Sequence, residues 1–62
     1  MPALNSSAIA WIDYDPVNRM LSITFHSGRT YTLHGVPERH YLGLLNASSA
    51  GWYFNSYLRG HY

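Results

Sequence analysis

Two turn signals in the first half of the chain constrain its fold more than any other feature. Asp15-Pro16-Val17-Asn18 and Ser27-Gly28 are typical of tight turns. They separate three segments rich in β-branched and aromatic residues, AIAWIDY, MLSITF and RTYTLHGV. These segments predict a three-stranded antiparallel meander. The second half of the chain has helical spacing instead, so we expect an α+β fold in which two short helices follow the sheet and pack on one face of it.

The alternation of apolar residues favours one register for the second and third strands. A two-residue turn at Ser27-Gly28 places Tyr31 among hydroxyl groups. A three-residue loop, His26-Ser27-Gly28, with its glycine in the left-handed conformation, brings apolar residues opposite one another. The resulting pairs are Ile23 with Tyr31 and Leu21 with Leu33. We therefore predict the three-residue loop.

For the first strand, a four-residue loop over Asp15-Pro16-Val17-Asn18 pairs Tyr14 with Arg19. Side chains then alternate between the two faces of the sheet. The apolar face receives Ile12, Ala10 and Ala8, and the hydroxyl-rich face receives Trp11 and Ile9. An indole on the hydroxyl-rich face is a candidate platform for stacking a nucleic-acid base. The alternatives are a register shifted by one residue, or a helix that covers this face.

The segment Val36-Pro37-Glu38 predicts the start of the first helix, because proline tolerates the first helical position and an acid is favourable in the first turn. An apolar stripe with spacing i, i+3, i+4 is expected to lie on the sheet and consists of Tyr41, Leu44 and Leu45. Gly43 is expected on the far side of this helix. The segment Asn46-Ala47-Ser48-Ser49 interrupts the pattern, and either serine can cap a second helix that begins near Ala50.

The second helix has two faces at 100° per residue. The face expected in the core contains Tyr53, Phe54, Tyr57 and Leu58. The opposite face contains Trp52, Asn55, Ser56 and Arg59. Its indole, amide and guanidinium suit stacking on a base, hydrogen bonding to a base edge and contact with a phosphate. The alternative is structural: Trp52 packs on a neighbouring element, Asn55 bonds a loop carbonyl and Arg59 is solvated.

Composition restricts the class of protein. The chain has 62 residues, no cysteine and a formal charge of +1, so we expect one domain stabilised by packed aromatic rings. All four basic residues are arginine, which binds phosphate and stacks on rings: Arg19, Arg29, Arg39 and Arg59. A secretory signal and a membrane span are both missing from the sequence. We therefore expect a soluble, cytoplasmic protein whose residues 1–5 are flexible.

The sequence offers little for catalysis or metal binding. The three acids, Asp13, Asp15 and Glu38, form no recognisable carboxylate pair, and the serines suit helix caps better than nucleophiles. The four histidines lack the spacing of metal ligands and are expected on the surface: His26, His34, His40 and His61. We expect neither an enzyme nor a metal, a cofactor, a small-molecule substrate or a membrane partner.

Several short motifs follow one another in a fixed order along the chain. They are Ser6-Ser7-x-Ile9, Tyr14-Asp15, Leu21-x-Ile23-x-Phe25-x-x-Gly28, Tyr31, Val36-Pro37, Tyr41, Ala47-x-Ser49-x-Gly51, Phe54-Asn55, Leu58-Arg59 and Tyr62. In this order they resemble the KTSC domain, a family that occurs at the C-terminus of some lysyl-tRNA synthetases and as short free-standing bacterial proteins. The resemblance covers nearly the whole chain and implies a single domain over residues 1–62.

The resemblance also implies a function, since attachment to a synthetase suggests RNA binding for the family. One departure concerns the central tyrosine pair of the family, which is here Tyr31-Thr32-Leu33. Loss of the second ring fits a packing role for this position better than base readout.

Two functions are expected from these observations. The first is binding of RNA, such as tRNA, by Trp52, Asn55 and Arg59, with further contacts from Trp11, Arg29 and His34. In this hypothesis His34 adds a phosphate contact when it is protonated. The second is interaction with a protein partner, or formation of a homodimer, through the same exposed aromatic residues.

Overall fold

The computed structural model describes residue 4 and residues 6–62. Three strands, β1 (Ile9–Asp15), β2 (Met20–Phe25) and β3 (Thr30–Leu33), form an antiparallel sheet in the order β1-β2-β3. Two helices follow, α1 (Glu38–Asn46) and α2 (Ala50–Tyr53), and α2 continues into a π-helical segment, Phe54–Leu58. The predicted α+β fold is confirmed. The segment 1–5, predicted to be flexible, lies outside the described residues except for Leu4.

The hairpin between β2 and β3 has the predicted register. Cα partners are Leu21 with Leu33 and Ile23 with Tyr31. The N–H of Phe25 donates to the carbonyl of Arg29 at 2.8 Å, which closes a loop of three residues. Gly28 has φ +95°, the left-handed conformation that this loop requires.

The loop between β1 and β2 differs from the prediction. Asp15 pairs with Met20 and not Tyr14 with Arg19, so the loop consists of the four residues 16–19. The carboxylate of Asp15 accepts the N–H of Val17 at 2.9 Å, an arrangement that keeps Asp15 at the end of the strand. Arg19 has φ +55° and completes the turn instead of joining β2.

A β-bulge in β1 moves Ile9 to the apolar face of the sheet. Ile9 pairs with Phe25 and Trp11 pairs with Thr24, so that one extra residue lies on β1 between them. Ile9 is fully buried, and its predicted place on the hydroxyl-rich face is wrong. Trp11 does lie on the hydroxyl-rich face, as the alternation beyond the bulge predicts.

The core lies between the sheet and the helices. Its buried apolar residues are Ile9, Ile12, Leu21, Ile23, Val36, Leu44, Ala50, Phe54 and Leu58. Full burial of one large aliphatic side chain contributes about 1.5–3 kcal/mol, so this set supplies most of the driving force for folding. Beside it, the rings of Tyr14 and Tyr41 stack at 5.3 Å, and the Tyr14 hydroxyl donates to the carbonyl of Val36 at 2.6 Å.

The buried face of α1 differs from the predicted stripe. His40 and Leu44 are buried, whereas Leu45 is exposed. The prediction of a surface histidine is therefore wrong for His40, whose Nδ1 forms a hydrogen bond with the hydroxyl of Tyr53. Gly43 was expected on the far side of α1, but a Cβ at this position would overlap the Tyr53 ring.

The second helical segment begins where the sequence predicts. Ser49 is its N-cap, and the Ser49 hydroxyl accepts the N–H of Trp52 at 3.2 Å. Phe54 and Leu58 are buried as expected, but Tyr57 is exposed. The i→i+5 bonding of the π-helical segment rotates residues away from the positions they would have in an α-helix, so the predicted core face is only partly realised. Across the described residues, no helix is long and apolar enough to cross a bilayer.

Candidate functional site

The structure separates the side chains that the sequence groups on one helix face. Asn55 and Arg59 line a groove together with Arg29. Trp52 lines a different cavity. The N–H of Arg59 donates to the carbonyl of Phe54, five residues back, at 2.8 Å, so Arg59 follows the wider π-helical turn and not the α-helical spacing from Trp52. The indole therefore does not share a binding surface with the amide and the guanidinium.

We call the first cavity the arginine groove. It lies between the β2–β3 hairpin and the end of the helical region, and its volume is about 750 Å³. The residues that line it are Phe25, Ser27, Arg29, Tyr31, Leu33, Phe54, Asn55, Arg59 and Gly60. Arg29 directly precedes β3 and Tyr31 is two residues further along, so both side chains lie on the same side of the hairpin.

Three rings form the aromatic wall of the arginine groove. Phe25 contacts Tyr31 at 5.6 Å with planes at 89°, and Phe54 at 5.5 Å with planes at 77°. Tyr31 and Phe54 are nearly parallel at 6.4 Å. Tyr31 is nonetheless 42% exposed, so part of its ring remains available to a ligand. The two phenylalanines hold this ring in place before any ligand arrives.

Each arginine of the groove is tethered by one hydrogen bond. Arg29 Nη1 donates to the Tyr31 hydroxyl at 3.4 Å, and Arg59 Nη1 donates to Asn55 Oδ1 at 3.4 Å. The hydrogen bond to Tyr31 raises the pKa of Arg29 above its ordinary value, so this guanidinium stays charged. Each guanidinium has five N–H donors. Among the described residues, the guanidinium groups of Arg29 and Arg59 make only the two hydrogen bonds given above.

The arginine groove is electropositive although the whole chain is close to neutral. Its lining contains two arginines and no acid. Of the acids, Asp13 and Asp15 lie in β1, and Glu38 opens α1. The side-chain hydrogen bond from Asn18, with two backbone N–H groups, lowers the pKa of Asp15. The positive charge of the groove is thus not neutralised by its own lining.

We call the second cavity the aromatic cleft, and its volume is about 380 Å³. It lies between the end of α1 and the start of α2, and it is lined by Gly43, Asn46, Ala47, Ser48, Ser49, Trp52, Tyr53 and Tyr57. Trp52 is 61% exposed, and its ring meets that of Tyr57 at 5.7 Å with planes at 84°. Tyr53 and Tyr57 are 4.8 Å apart with planes at 52°. None of the lining residues carries a charge.

Trp11 and His34 lie on neither cavity. Trp11 is 40% exposed on the hydroxyl-rich face of the sheet, next to its β2 partner Thr24, whose hydroxyl lies 3.0 Å from that of Thr30. His34 follows β3 and is exposed. In residues 4 and 6–62, no three His, Cys, Asp or Glu side chains lie close enough to hold a metal ion.

The sequence analysis did not place Tyr31 in the lining of the arginine groove, where the structure has it. The apolar pairing of Tyr31 with Ile23 indicated packing, and the ring does pack, but it is also partly exposed. The signal that could have found it is the spacing of Arg29 and Tyr31, which places a guanidinium beside a ring on one face of a strand. Arg29 and Arg59 are far apart in the sequence, so no local pattern indicates that they line the same groove.

The model of the KTSC domain matches residues 5–62. The chain belongs to the KTSC domain family. The structure of this KTSC domain agrees, since it superposes on the crystal structure of a KTSC domain protein from Yersinia pestis with a TM-score of 0.92 and 42% sequence identity. That match covers 97% of this chain and 84% of the Yersinia protein.

Two further relatives resemble this KTSC domain in sequence. An uncharacterized protein of Stutzerimonas stutzeri is 40% identical over 53 residues, which cover 86% of this chain and 75% of the relative. A protein of Tsukamurella paurometabola is 36% identical over 59 residues, which cover 95% of this chain and 88% of the relative. These matches show the family and the fold, and the geometry of the two cavities carries the functional argument.

Proposed function

We propose that this KTSC domain binds single-stranded RNA in the arginine groove. The observation that carries the proposal is that Arg29 and Arg59 line one cavity with the exposed ring of Tyr31, and that no acid lines it. The resemblance to a family associated with lysyl-tRNA synthetases implies RNA as the partner, and unpaired regions of tRNA are within the same ligand class.

The chemistry of the groove matches one or two nucleotides. Stacking of a base on an exposed aromatic ring contributes about 1–3 kcal/mol and tolerates any base. Arginine guanidinium groups donate two parallel hydrogen bonds to a phosphate. The Oδ1 of Asn55 accepts from Arg59, which leaves the amide N–H₂ to donate to a base edge. Tyr31, the arginines and Asn55 thus supply stacking, charge and a polar contact.

The small number of cations sets the strength and salt dependence of binding. For single strands, log K falls with log salt with a slope of about −0.7 per phosphate contact, so two arginines give a slope of about −1.4. Affinity must therefore be modest and strongest at low salt. A much steeper slope would require cations outside the groove.

Fluorescence anisotropy with a labelled RNA octanucleotide at low salt tests the proposal. The variants R29A and R59A are each expected to weaken binding at least about 10-fold, because a hydrogen bond to a charged group contributes about 1.5–3 kcal/mol. The matched controls are R19A and R39A, which remove the same charge outside the groove and should change affinity by less than about 2-fold. Equal losses in all four variants, or no binding by the parent protein, would refute the proposal.

A further inference from the structure

The aromatic cleft has a chemistry unlike that of the arginine groove. Three of its residues are aromatic, Trp52, Tyr53 and Tyr57, and no arginine or acid lines it. The ring planes differ by 84° between Trp52 and Tyr57 and by 52° between Tyr53 and Tyr57. Rings in such different orientations form a corner and not a flat stack. The face of an aromatic ring is electronegative, so a corner of rings attracts a cation.

The end of α1 adds to the negative potential of the cleft. Asn46, the last residue of α1, and Ala47, which follows it, both line the cleft. The last carbonyl groups of a helix have no partner within the helix and carry a partial negative charge. The last turn of α1 contains no basic side chain that would neutralise this charge. The aromatic rings and the C-terminal end of α1 therefore both favour a positively charged ligand.

The start of α2 also reaches the cleft but does not cancel this effect. The N–H of Trp52 donates to the Ser49 hydroxyl at 3.2 Å, and the N–H of Tyr53 donates to the Ser49 carbonyl at 3.0 Å. Because these donors are bonded within the chain, they offer little to an anion. Selection for a cation thus rests on the aromatic rings and on the end of α1.

One ring of the cleft, that of Tyr53, is held in position before a ligand binds. The Tyr53 hydroxyl lies 3.0 Å from Nδ1 of the buried His40, and this hydrogen bond restrains the ring. On the other side of the cleft, Trp52 is 61% exposed and accessible. A volume of about 380 Å³ admits a trimethylammonium group together with part of the molecule that carries it.

We propose that the aromatic cleft binds a quaternary or methylated ammonium group by cation–π contacts with Trp52, Tyr53 and Tyr57. A bare metal ion is excluded, since hard cations need several oxygen ligands such as carboxylates, and the lining contains no carboxylate. An alkylammonium spreads its charge over methyl groups and loses little hydration on entering a cleft of rings. The group can belong to a small molecule such as choline or to a methylated lysine of a protein.

NMR titration of the ¹⁵N-labelled protein tests the proposal, because the chain has two tryptophans and one of them is an internal control. Tetramethylammonium chloride, choline and an acetylated trimethyllysine amide are the probes. The indole N–H signal of Trp52 should shift with a saturable curve, whereas that of Trp11 on the sheet should not move. Tighter binding of choline assigns a small-molecule source and tighter binding of the lysine derivative a protein source, and either supports the cleft as an ammonium site.

The neutral molecule 3,3-dimethylbutan-1-ol has the shape of choline without its charge, and is the decisive control. We expect choline to bind about 10-fold more tightly than this alcohol, as cation–π contacts with more than one ring predict. The proposal would be overturned if choline and the alcohol bound with equal affinity, or if sodium chloride produced the same response as choline. Shifts of both indole signals along one curve, or no shift at all, would also overturn it.

Variants separate this cleft from the arginine groove. Y57A and W52A remove exposed rings and should weaken choline binding about 5-fold or more, while W11A, which removes a ring from the sheet face, should not. For each variant, unchanged amide signals of the core show that the fold is intact. R29A and R59A should leave choline binding unchanged, so failure of RNA binding and failure of ammonium binding are distinguishable.

Discussion

His40 Nδ1 lies 3.0 Å from the hydroxyl oxygen of Tyr53, and this contact joins α1 to α2. His40 is 9% exposed, and its ring also contacts that of Tyr62 at 5.5 Å. Burial, with a smaller contribution from the charge of Arg39, lowers the pKa of His40 below its ordinary value. At neutral pH the folded protein therefore favours the neutral form of this histidine.

The burial of His40 predicts a pH-dependent stability. The pKa of His40 is about 6.5 in the unfolded chain and lower in the folded protein, so the unfolded chain binds the proton first as pH falls. The contribution of His40 is complete above about pH 6.5 and is lost as pH falls through the folded pKa. Urea unfolding followed by circular dichroism from about pH 7.5 to about pH 5 measures this.

The variant H40Q is the control for the pH prediction. Glutamine cannot titrate but retains a polar atom for Tyr53, so its free energy of unfolding should vary less between about pH 7.5 and about pH 5 than that of the parent. An identical pH dependence in the two proteins would exclude His40 as its source.

The surroundings of Gly43 predict that alanine destabilises the protein at this position, although alanine is normally more favourable than glycine inside a helix. A Cβ on Gly43 would overlap the ring of Tyr53, and displacement of that ring would break its hydrogen bond with His40. We expect G43A to lower the free energy of unfolding by about 1–2 kcal/mol, more than the helix propensity of alanine restores. Urea unfolding measures this, with L42A at the exposed neighbouring position as the control. Stabilisation by G43A would contradict the close packing of α1 on Tyr53.

A feature of this fold can be predicted from the sequence when residues close together in the chain determine it. The three-residue loop with Gly28 and a serine cap on the second helix follow from short motifs, and both are present, with Ser49 as the cap. The bulge that buries Ile9 depends on packing between β1 and the rest of the core, and alternation alone cannot reveal it. His40 was expected on the surface because its partner Tyr53 is thirteen residues further along the chain.

The two cavities show the same limit. Helical spacing placed Trp52 and Arg59 on one face, but the π-helical segment between them changes that spacing, and the two residues line different cavities. The arginine groove exists because the β2–β3 hairpin approaches the end of the helical region. That approach is a tertiary contact, and periodicity along either segment contains no information about it.

Ser49 is predicted to stabilise the second helical segment through its side chain. Its hydroxyl accepts the N–H of Trp52, which otherwise has no partner in the first turn. We expect S49A to lower the free energy of unfolding by about 1 kcal/mol. S48A changes the adjacent exposed serine and should have an effect below about 0.5 kcal/mol. Equal effects of the two substitutions in thermal unfolding would rule out the cap as the cause.

Tyr31 tests whether the arginine groove stacks a base. Y31L removes the ring and should weaken binding of an RNA octanucleotide about 10-fold, since stacking contributes about 1–3 kcal/mol. Y31F keeps the ring but loses the hydroxyl that Arg29 Nη1 contacts, and should stay within about 3-fold of the parent protein. Anisotropy titrations at one low salt concentration compare the variants, and urea unfolding corrects for any loss of packing against Phe25. If Y31F loses as much affinity as Y31L, the phenol and its contact with Arg29 hold the ligand, and the ring does not stack.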